Sequence, residues 1–153
     1  MFRITARLDL KLDPETLLEA CGLEPGGRVQ KVIDQTVIDF CQPYVPASPN
    51  RILEGSAQLA TEIGSGMVIW NTPYAHYQYM GIVYGPNIPV YQDGVLVGWY
   101  SIPGRKKEPT DRELTYDTAQ NPLAGPHWVE RMKADRMGEI EERAQRAASR
   151  RGG

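Results

Sequence analysis

The chain has 153 residues and a formal net charge of −2, and its hydrophobic fraction of 41% suffices for a core. We therefore expect one domain over residues 1–153 and no wholesale disorder. No segment reaches the ~18 uninterrupted apolar residues of a membrane span, the alternating charges at the start exclude a signal-peptide core, and the near-neutral balance excludes a basic nucleic-acid binder as a whole.

The first two expected elements are a strand and a short helix. Residues 2–12 alternate between apolar and polar side chains, and this period of two is typical of a half-buried strand. Asp13 followed by Pro14 indicates a helix start, with the aspartate as N-cap and the proline at the first helical position. This helix should end near Gly22.

A second helix should follow Gly26-Gly27 and end before Pro43. One stripe of it is apolar because hydrophobic residues recur at spacings of three and four. The stripe consists of Val29, Val32, Ile33, Val37, Phe40 and Cys41. The other face is assigned to Lys31, Asp34, Gln35 and Asp39. Both cysteines, Cys21 and Cys41, are expected to be reduced and buried, although their spacing does not exclude a disulfide.

The next segment, residues 43–80, predicts a loop, a hairpin and a short helix. Three prolines stiffen the loop over residues 43–50. Residues 57–63 and 67–71 flank Gly64-Ser65-Gly66, which indicates two strands joined by a glycine-rich turn. Asn71-Thr72-Pro73 then predicts a helix from Pro73 to about Met80.

Residues 81–120 form a long excursion that is rich in glycine, proline and tyrosine. Asp93-Gly94 lies between two apolar runs and is a strong signal for a type I′ hairpin turn. The polar stretch from Arg105 to Asn121 is expected to be a solvated loop. Residues 84–120 lack periodicity, so we expect proteases to cut this segment.

A last helix should run from about residue 126 to 148, with an apolar stripe on one side and paired acidic and basic residues on the other. The tail over residues 143–153 is basic. The fold class is therefore expected to be α+β, a small antiparallel sheet that is either open or barrel-like, packed by helices, with a long hairpin loop and a C-terminal helix.

No set of residues predicts catalysis, a metal site or a cofactor. His76 and His127 have no further ligands at metal-binding spacing. The serines lack a nucleophile-elbow context, and Gly64-Ser65-Gly66 lacks the lysine of a phosphate-binding loop. We therefore expect the chain not to be an enzyme, because a base, a nucleophile and oxyanion donors are not found together.

The aromatic residues are the unusual feature, since 8 of the 13 lie between Trp70 and Tyr100. They are compatible with a core, a protein interface, or a platform that stacks on a carbohydrate. The arginines of the tail could contact phosphates without reading sequence, or simply solvate the terminus.

Three stretches resemble the minor capsid proteins of tailed phages and prophages of Gram-positive bacteria. The first is Tyr44-Val45-Pro46 followed by Leu53-Glu54-Gly55-Ser56-Ala57. The second is Ile69-Trp70-Asn71-Thr72-Pro73-Tyr74-Ala75. The third is Asn121-Pro122-Leu123-Ala124-Gly125-Pro126-His127-Trp128-Val129 and the start of the last helix. The resemblance covers nearly the whole chain, and the middle of the 81–120 excursion looks longer than in the shorter family members.

The resemblance implies a structural virion protein, assembled in the bacterial host cytoplasm. It would form a homo-oligomeric ring in the neck, in a head–tail connector or tail-completion role, with neck, connector and tail proteins as partners and no membrane contact. Candidate interface residues are Tyr84, Tyr91, Trp99, Tyr100 and His127. Candidate DNA-facing residues are Arg143, Arg146, Arg150 and Arg151. The motif residues with a structural role are Asn71, Thr72, Pro73, Tyr74, Pro122, Gly125 and Trp128. The alternative function is a small aromatic-rich binding module for a peptide or a carbohydrate.

Overall fold

The computed structural model describes residues 14–150 of the protein. The strand expected over residues 2–12, the Asp13 cap and Arg151 lie outside this range. The helices are α1 (Pro14–Cys21), α2 (Arg28–Cys41), α3 (Ile52–Ala60), α4 (Ala75–Met80) and α5 (Trp128–Ser149), and the strands are β1 (Ile82–Gly85), β2 (Ile88–Gln92), β3 (Val95–Tyr100) and β4 (Glu108–Glu113). A 3-10 turn at Pro49–Arg51 precedes α3.

The α+β class is confirmed. The strands pair as two separate antiparallel sheets, β1 with β4 and β2 with β3, and these strands close no barrel. The helices expected to end near Gly22, before Pro43 and near residue 148 are also confirmed. The short helix after Asn71-Thr72-Pro73 is present, but it begins at Ala75.

The core lies where α2 packs against α5. Trp128 and Met132 of α5 are completely enclosed, together with Leu53 of α3 and Cys41 at the end of α2. Burying a large apolar side chain contributes about 1.5–3 kcal/mol, so the contacts around this helix pair contribute substantially to stability. At the far end of α5, the Arg28 guanidinium donates to the carbonyls of Ala147 and Ala148. The guanidinium supplies hydrogen-bond partners for two terminal carbonyls, and its positive charge interacts favourably with the negative end of the helix dipole.

The hairpin expected over residues 57–71 is wrong. Residues 52–60 form α3, and residues 61–71 contain no strand. The glycine-rich turn is held by Asp34 of α2, whose Oδ2 accepts from the Gly64 amide at 2.8 Å and from the Gly66 amide at 3.1 Å. Both glycines have positive φ, which lets the two amides converge on one oxygen.

The assignment of Asp34 to the solvent face of α2 is also wrong, because this carboxylate is buried. Gln30 donates to its other oxygen at 2.7 Å, so both oxygens have partners. A buried carboxylate is tolerated when hydrogen bonds replace its water.

The expectation that both cysteines are buried holds for Cys41 only, since Cys21 is exposed, and both thiols are free.

The excursion over residues 81–120 contains more structure than expected. The Asp93-Gly94 hairpin is confirmed as β2–β3, and both turn residues have positive φ, as a type I′ turn requires. Part of the stretch after Arg105, expected as a loop, forms β4, which pairs with β1 through Tyr84 opposite Pro109 and Gly85 opposite Glu108. The Thr110 hydroxyl donates to the Val83 carbonyl and ties the two strands together.

Candidate interaction surface

The β2–β3 hairpin exposes apolar side chains on both faces. Cross-strand partners point to the same side of an antiparallel pair, so Tyr91 opposite Leu96 and Pro89 opposite Trp99 share one face. The opposite face carries Ile88 and Tyr100, and the register shifts next to Val90. The large exposed hydrophobic residues of the hairpin are Ile88, Val90, Tyr91, Val95, Leu96, Val97, Trp99 and Tyr100.

Charge is nearly absent from this hairpin. Between residues 86 and 104 the only residue that is charged at neutral pH is Asp93, at the turn. Tyr91 is 63% exposed and Trp99 56% exposed, so neither ring is part of the core of this chain. Exposed apolar surface of this kind is typical of interaction sites, which makes the hairpin the candidate interaction surface.

The candidate interface residues on and next to the hairpin fall into two groups, which differ in how exposed their side chains are. Tyr91, Trp99 and Tyr100 are exposed, as an interface anchor requires. Tyr84 is half-buried on β1, where its ring lies 4.8 Å from the ring of Tyr77 and 5.9 Å from that of His76. The Asn87 amide donates to the Tyr84 carbonyl at 2.9 Å. The structure therefore places Tyr84 at the base of the hairpin rather than along it.

His127 lies outside the hairpin, at the start of α5. It is exposed, its φ is positive, and its ring lies 5.3 Å from the ring of Tyr79. Its backbone amide donates to the Tyr79 carbonyl at 2.9 Å. His127 thus fixes the entry of α5 against α4.

The three stretches that carry the family resemblance meet in the core. Asn121 donates to the Val45 carbonyl at 2.7 Å, and the Gly125 amide donates to the Tyr44 carbonyl at 3.2 Å, which joins the first stretch to the third. The Trp70 ring meets the Trp128 ring edge-on at 5.7 Å, which joins the second to the third. These residues act as a scaffold for the body.

The first stretch also has an internal clamp. The buried Glu54 carboxylate accepts from the Ser48 amide at 3.2 Å and from the Ser48 hydroxyl at 2.8 Å. The hydroxyl in turn accepts from the Leu53 amide at 2.9 Å. This clamp holds the turn at Asn50 and Arg51, both of which have positive φ, and so fixes the start of α3.

Of the other motif residues, Thr72 holds the turn before α4, because its carbonyl accepts from the Ala75 amide at 3.1 Å. Tyr74 is half-buried and packs against the core, while Asn71, Pro73 and Pro122 are exposed. The motif residues therefore shape turns and fill the core, and none of them joins the hairpin surface.

The basic tail is partly engaged within the protein. The Arg143 guanidinium lies 4.6 Å and that of Arg136 3.4 Å from the centroid of the Phe40 ring. Arg146 pairs with Glu142. Arg150 is exposed at the end of α5. The cleft lined by Arg143, Arg146 and Arg150 also contains Asp39.

The strongest pKa shifts lie in the core near the start of α5. Burial raises the pKa of the Cys41 thiol to about 12, and the Glu130 carboxylate adds to the rise. Burial, with the hydrogen bond to Glu130 as a second cause, raises the pKa of the Tyr79 hydroxyl, and the same bond lowers the pKa of Glu130. Each of these groups keeps its ordinary charge state at neutral pH, so none is poised for proton transfer.

Over residues 14–150, no cluster of three or more histidine, cysteine or acidic side chains is placed to hold a metal ion. No helix in that range is both long and apolar enough to cross a membrane.

Sequence analysis missed several members of the exposed surface, namely Ile88, Val90, Val95 and Leu96, because it singled out aromatic residues alone. The signal that would have identified them is a hairpin that is apolar at both alternating positions and carries no charge on its strands.

Comparisons of the chain with protein-family models, curated proteins and solved structures gave no match.

Proposed function

We propose that the chain is a non-enzymatic structural protein of a tailed phage or prophage virion, forming part of the neck ring that joins the capsid portal to the tail. The observation that carries this proposal is the β2–β3 hairpin, which is apolar on both faces and exposed along its length. Such a hairpin is marginal alone in water and gains stability when a partner covers it.

The body fits a role as a rigid support for this hairpin. The resemblance to minor capsid proteins rests on three stretches, and these converge on Trp128 and the Tyr44-Val45 backbone. Such stretches specify a fold without specifying chemistry, as a virion structural protein requires. The proposed partners are further copies of the chain and the neighbouring neck, connector and tail proteins.

Contact with DNA in the channel is the weaker part of the proposal. Arg143 already contacts Phe40 and Arg146 pairs with Glu142, which leaves the exposed Arg150 as the more available of these three cations. Any such contact would be to phosphates and independent of sequence.

The proposal is tested by assembly in the phage that encodes the chain. We expect Trp99→Asp to give filled heads and free tails that fail to join, because a buried charge at the contact costs several kcal/mol. Leu59→Asp is the matched control, since Leu59 is 90% exposed on α3, outside the hairpin. Normal infectious particles from Trp99→Asp would contradict the proposal.

A second candidate is a small binding module for a peptide or a carbohydrate. The exposed rings of Tyr91 and Trp99 on one face favour it, because sugars stack on such rings. Saturable binding on a glycan or peptide array, lost in Trp99→Ala, would support this candidate. If no peptide or glycan binds, and Trp99→Asp phage fail to join heads to tails, the virion role is supported over this candidate.

A further inference from the structure

An apolar groove of about 310 Å³ lies between α2 and α5. Half of the residues that line it are Ile33, Val37, Val68, Trp70, Val129 and Met137, and the buried Met132 and Ile140 add to its apolar surface. Two charged residues line it, Asp34 and Lys133, and the Asp34 carboxylate is already held by the Gly64 and Gly66 amides. The charge that the groove offers to a partner is therefore the exposed, positive Lys133.

The hairpin presents the complementary surface. Its Tyr91–Leu96 and Pro89–Trp99 pairs form one continuous apolar face, and the adjacent turn carries the negative Asp93. The groove is at the small end of the volume range of binding sites, which suits a few inserted side chains better than a whole ligand. An apolar face with one acid thus matches an apolar groove with one base.

We propose that the Tyr91–Leu96 face of the hairpin of one copy docks in the α2–α5 groove of a second copy, with Asp93 near Lys133. Donor and acceptor are different surfaces of the same chain, so the contact is head-to-tail and can repeat from copy to copy. The inference rests on the proposed function for closure into a ring, whereas the pairwise contact requires only this chain.

A mixing experiment tests the head-to-tail geometry. Leu96→Asp removes the donor and Met137→Asp removes the acceptor, and both residues are exposed, so both variants should fold, which circular dichroism checks. In sedimentation velocity we expect each variant alone to associate at least about tenfold more weakly than the wild type, because a hot-spot loss exceeds the 1.4 kcal/mol of a tenfold change. An equimolar mixture should recover dimers and nothing larger, since one intact contact remains.

Disulfide trapping tests the position of the contact. In a Cys21→Ser background, chains with Leu96→Cys and chains with Met137→Cys are mixed and oxidised, and a mixed cross-linked dimer is expected. Leu59→Cys replaces Met137→Cys as the control, and it is a stringent one because Leu59 is the more exposed of the two. Equal cross-linking to both positions, or a wild-type chain that stays monomeric up to about 1 mM, would overturn the inference.

These outcomes are separable from those of the proposed function, because the experiment uses the isolated chain. Association without a place in the neck would refute the virion role alone. A place in the neck with no cross-link would refute the docking contact alone.

Discussion

Two properties of single residues, the burial of Asp34 and the raised pKa of Cys41, cannot be read from the sequence. Asp34 lies in the buried part of α2 because its carboxylate accepts backbone amides from the glycine-rich turn. Burial raises the pKa of the Cys41 thiol to about 12, so the proton is held well above the pH at which an exposed thiol loses it. Both effects depend on neighbours that are distant in the sequence.

Replacing Asp34 should expose this dependence. We expect Asp34→Ala to lower the free energy of unfolding in urea by about 1–3 kcal/mol, because the Gly64 and Gly66 amides lose their acceptor. Asp34→Asn should cost less, since its amide oxygen still accepts. Asp39→Ala, on the exposed side of the same helix, is the control and should stay within about 0.5 kcal/mol of the wild type.

Alkaline pH should destabilise the protein through Cys41. The folded state holds the thiol proton up to a pKa of about 12, whereas the unfolded thiol loses it near 9, so this contribution is complete below pH 9 and is lost as the pH rises toward 12. We expect stability to fall there by up to about 1.4 kcal/mol per pH unit for one proton. The measurement is urea unfolding from pH 8 to 10.5, and an unchanged slope in Cys41→Ala would contradict this cause.

Among the elements, the hairpin is separate from the core that supports it. Trp99 of β3 is exposed, whereas Trp128 of α5 is enclosed by Trp70 and Tyr79. We expect Trp99→Ala to change the free energy of unfolding by less than about 0.5 kcal/mol and Trp128→Ala to cost about 3–5 kcal/mol. Equal losses in the two variants would show that the hairpin belongs to the core.

Proteolysis should identify the link between the hairpin and β4. The sequence alone predicts cleavage anywhere over residues 84–120, but the paired strands leave mainly residues 101–107 and 114–120 open to proteases, and only the first of these two segments contains lysine or arginine. Dilute trypsin should cut first after Arg105 or Lys106, which are exposed and outside any strand. A first cut within α2 or α5 would contradict this division of the excursion.

The elements that the sequence predicted are those with a local signal. The apolar spacing of α2 and α5 and the Asp93-Gly94 turn are visible in a few neighbouring residues. In contrast, β4 consists of polar residues and Pro109, and it forms only because β1 offers its backbone. Likewise, α3 is short, contains Gly55, and precedes a glycine-rich turn whose partner, Asp34, lies 30 residues earlier.

The same limit applies to the interaction surface. Composition revealed the aromatic run but left its role open, and the family resemblance suggested Tyr91, Trp99 and Tyr100 as interface candidates; the structure leaves all three exposed. Tyr84 was grouped with them, yet it packs on Tyr77 and His76, because burial depends on α4 folding back against β1. Sequence spacing contains no information about that contact.

At the scale of the whole molecule, a body held by the α2–α5 core carries one exposed, almost uncharged hairpin. Under the proposed function, the hairpin would contact neighbouring proteins and the body would hold it in place. Its near-neutral charge agrees with partners that are mainly proteins.

Cryo-electron microscopy of the virion that encodes this chain tests the virion role most directly. We expect a ring of copies between the portal and the tail, with the β2–β3 hairpin of each copy covered by a neighbouring protein. A neck that contains no copy of the chain would contradict this role.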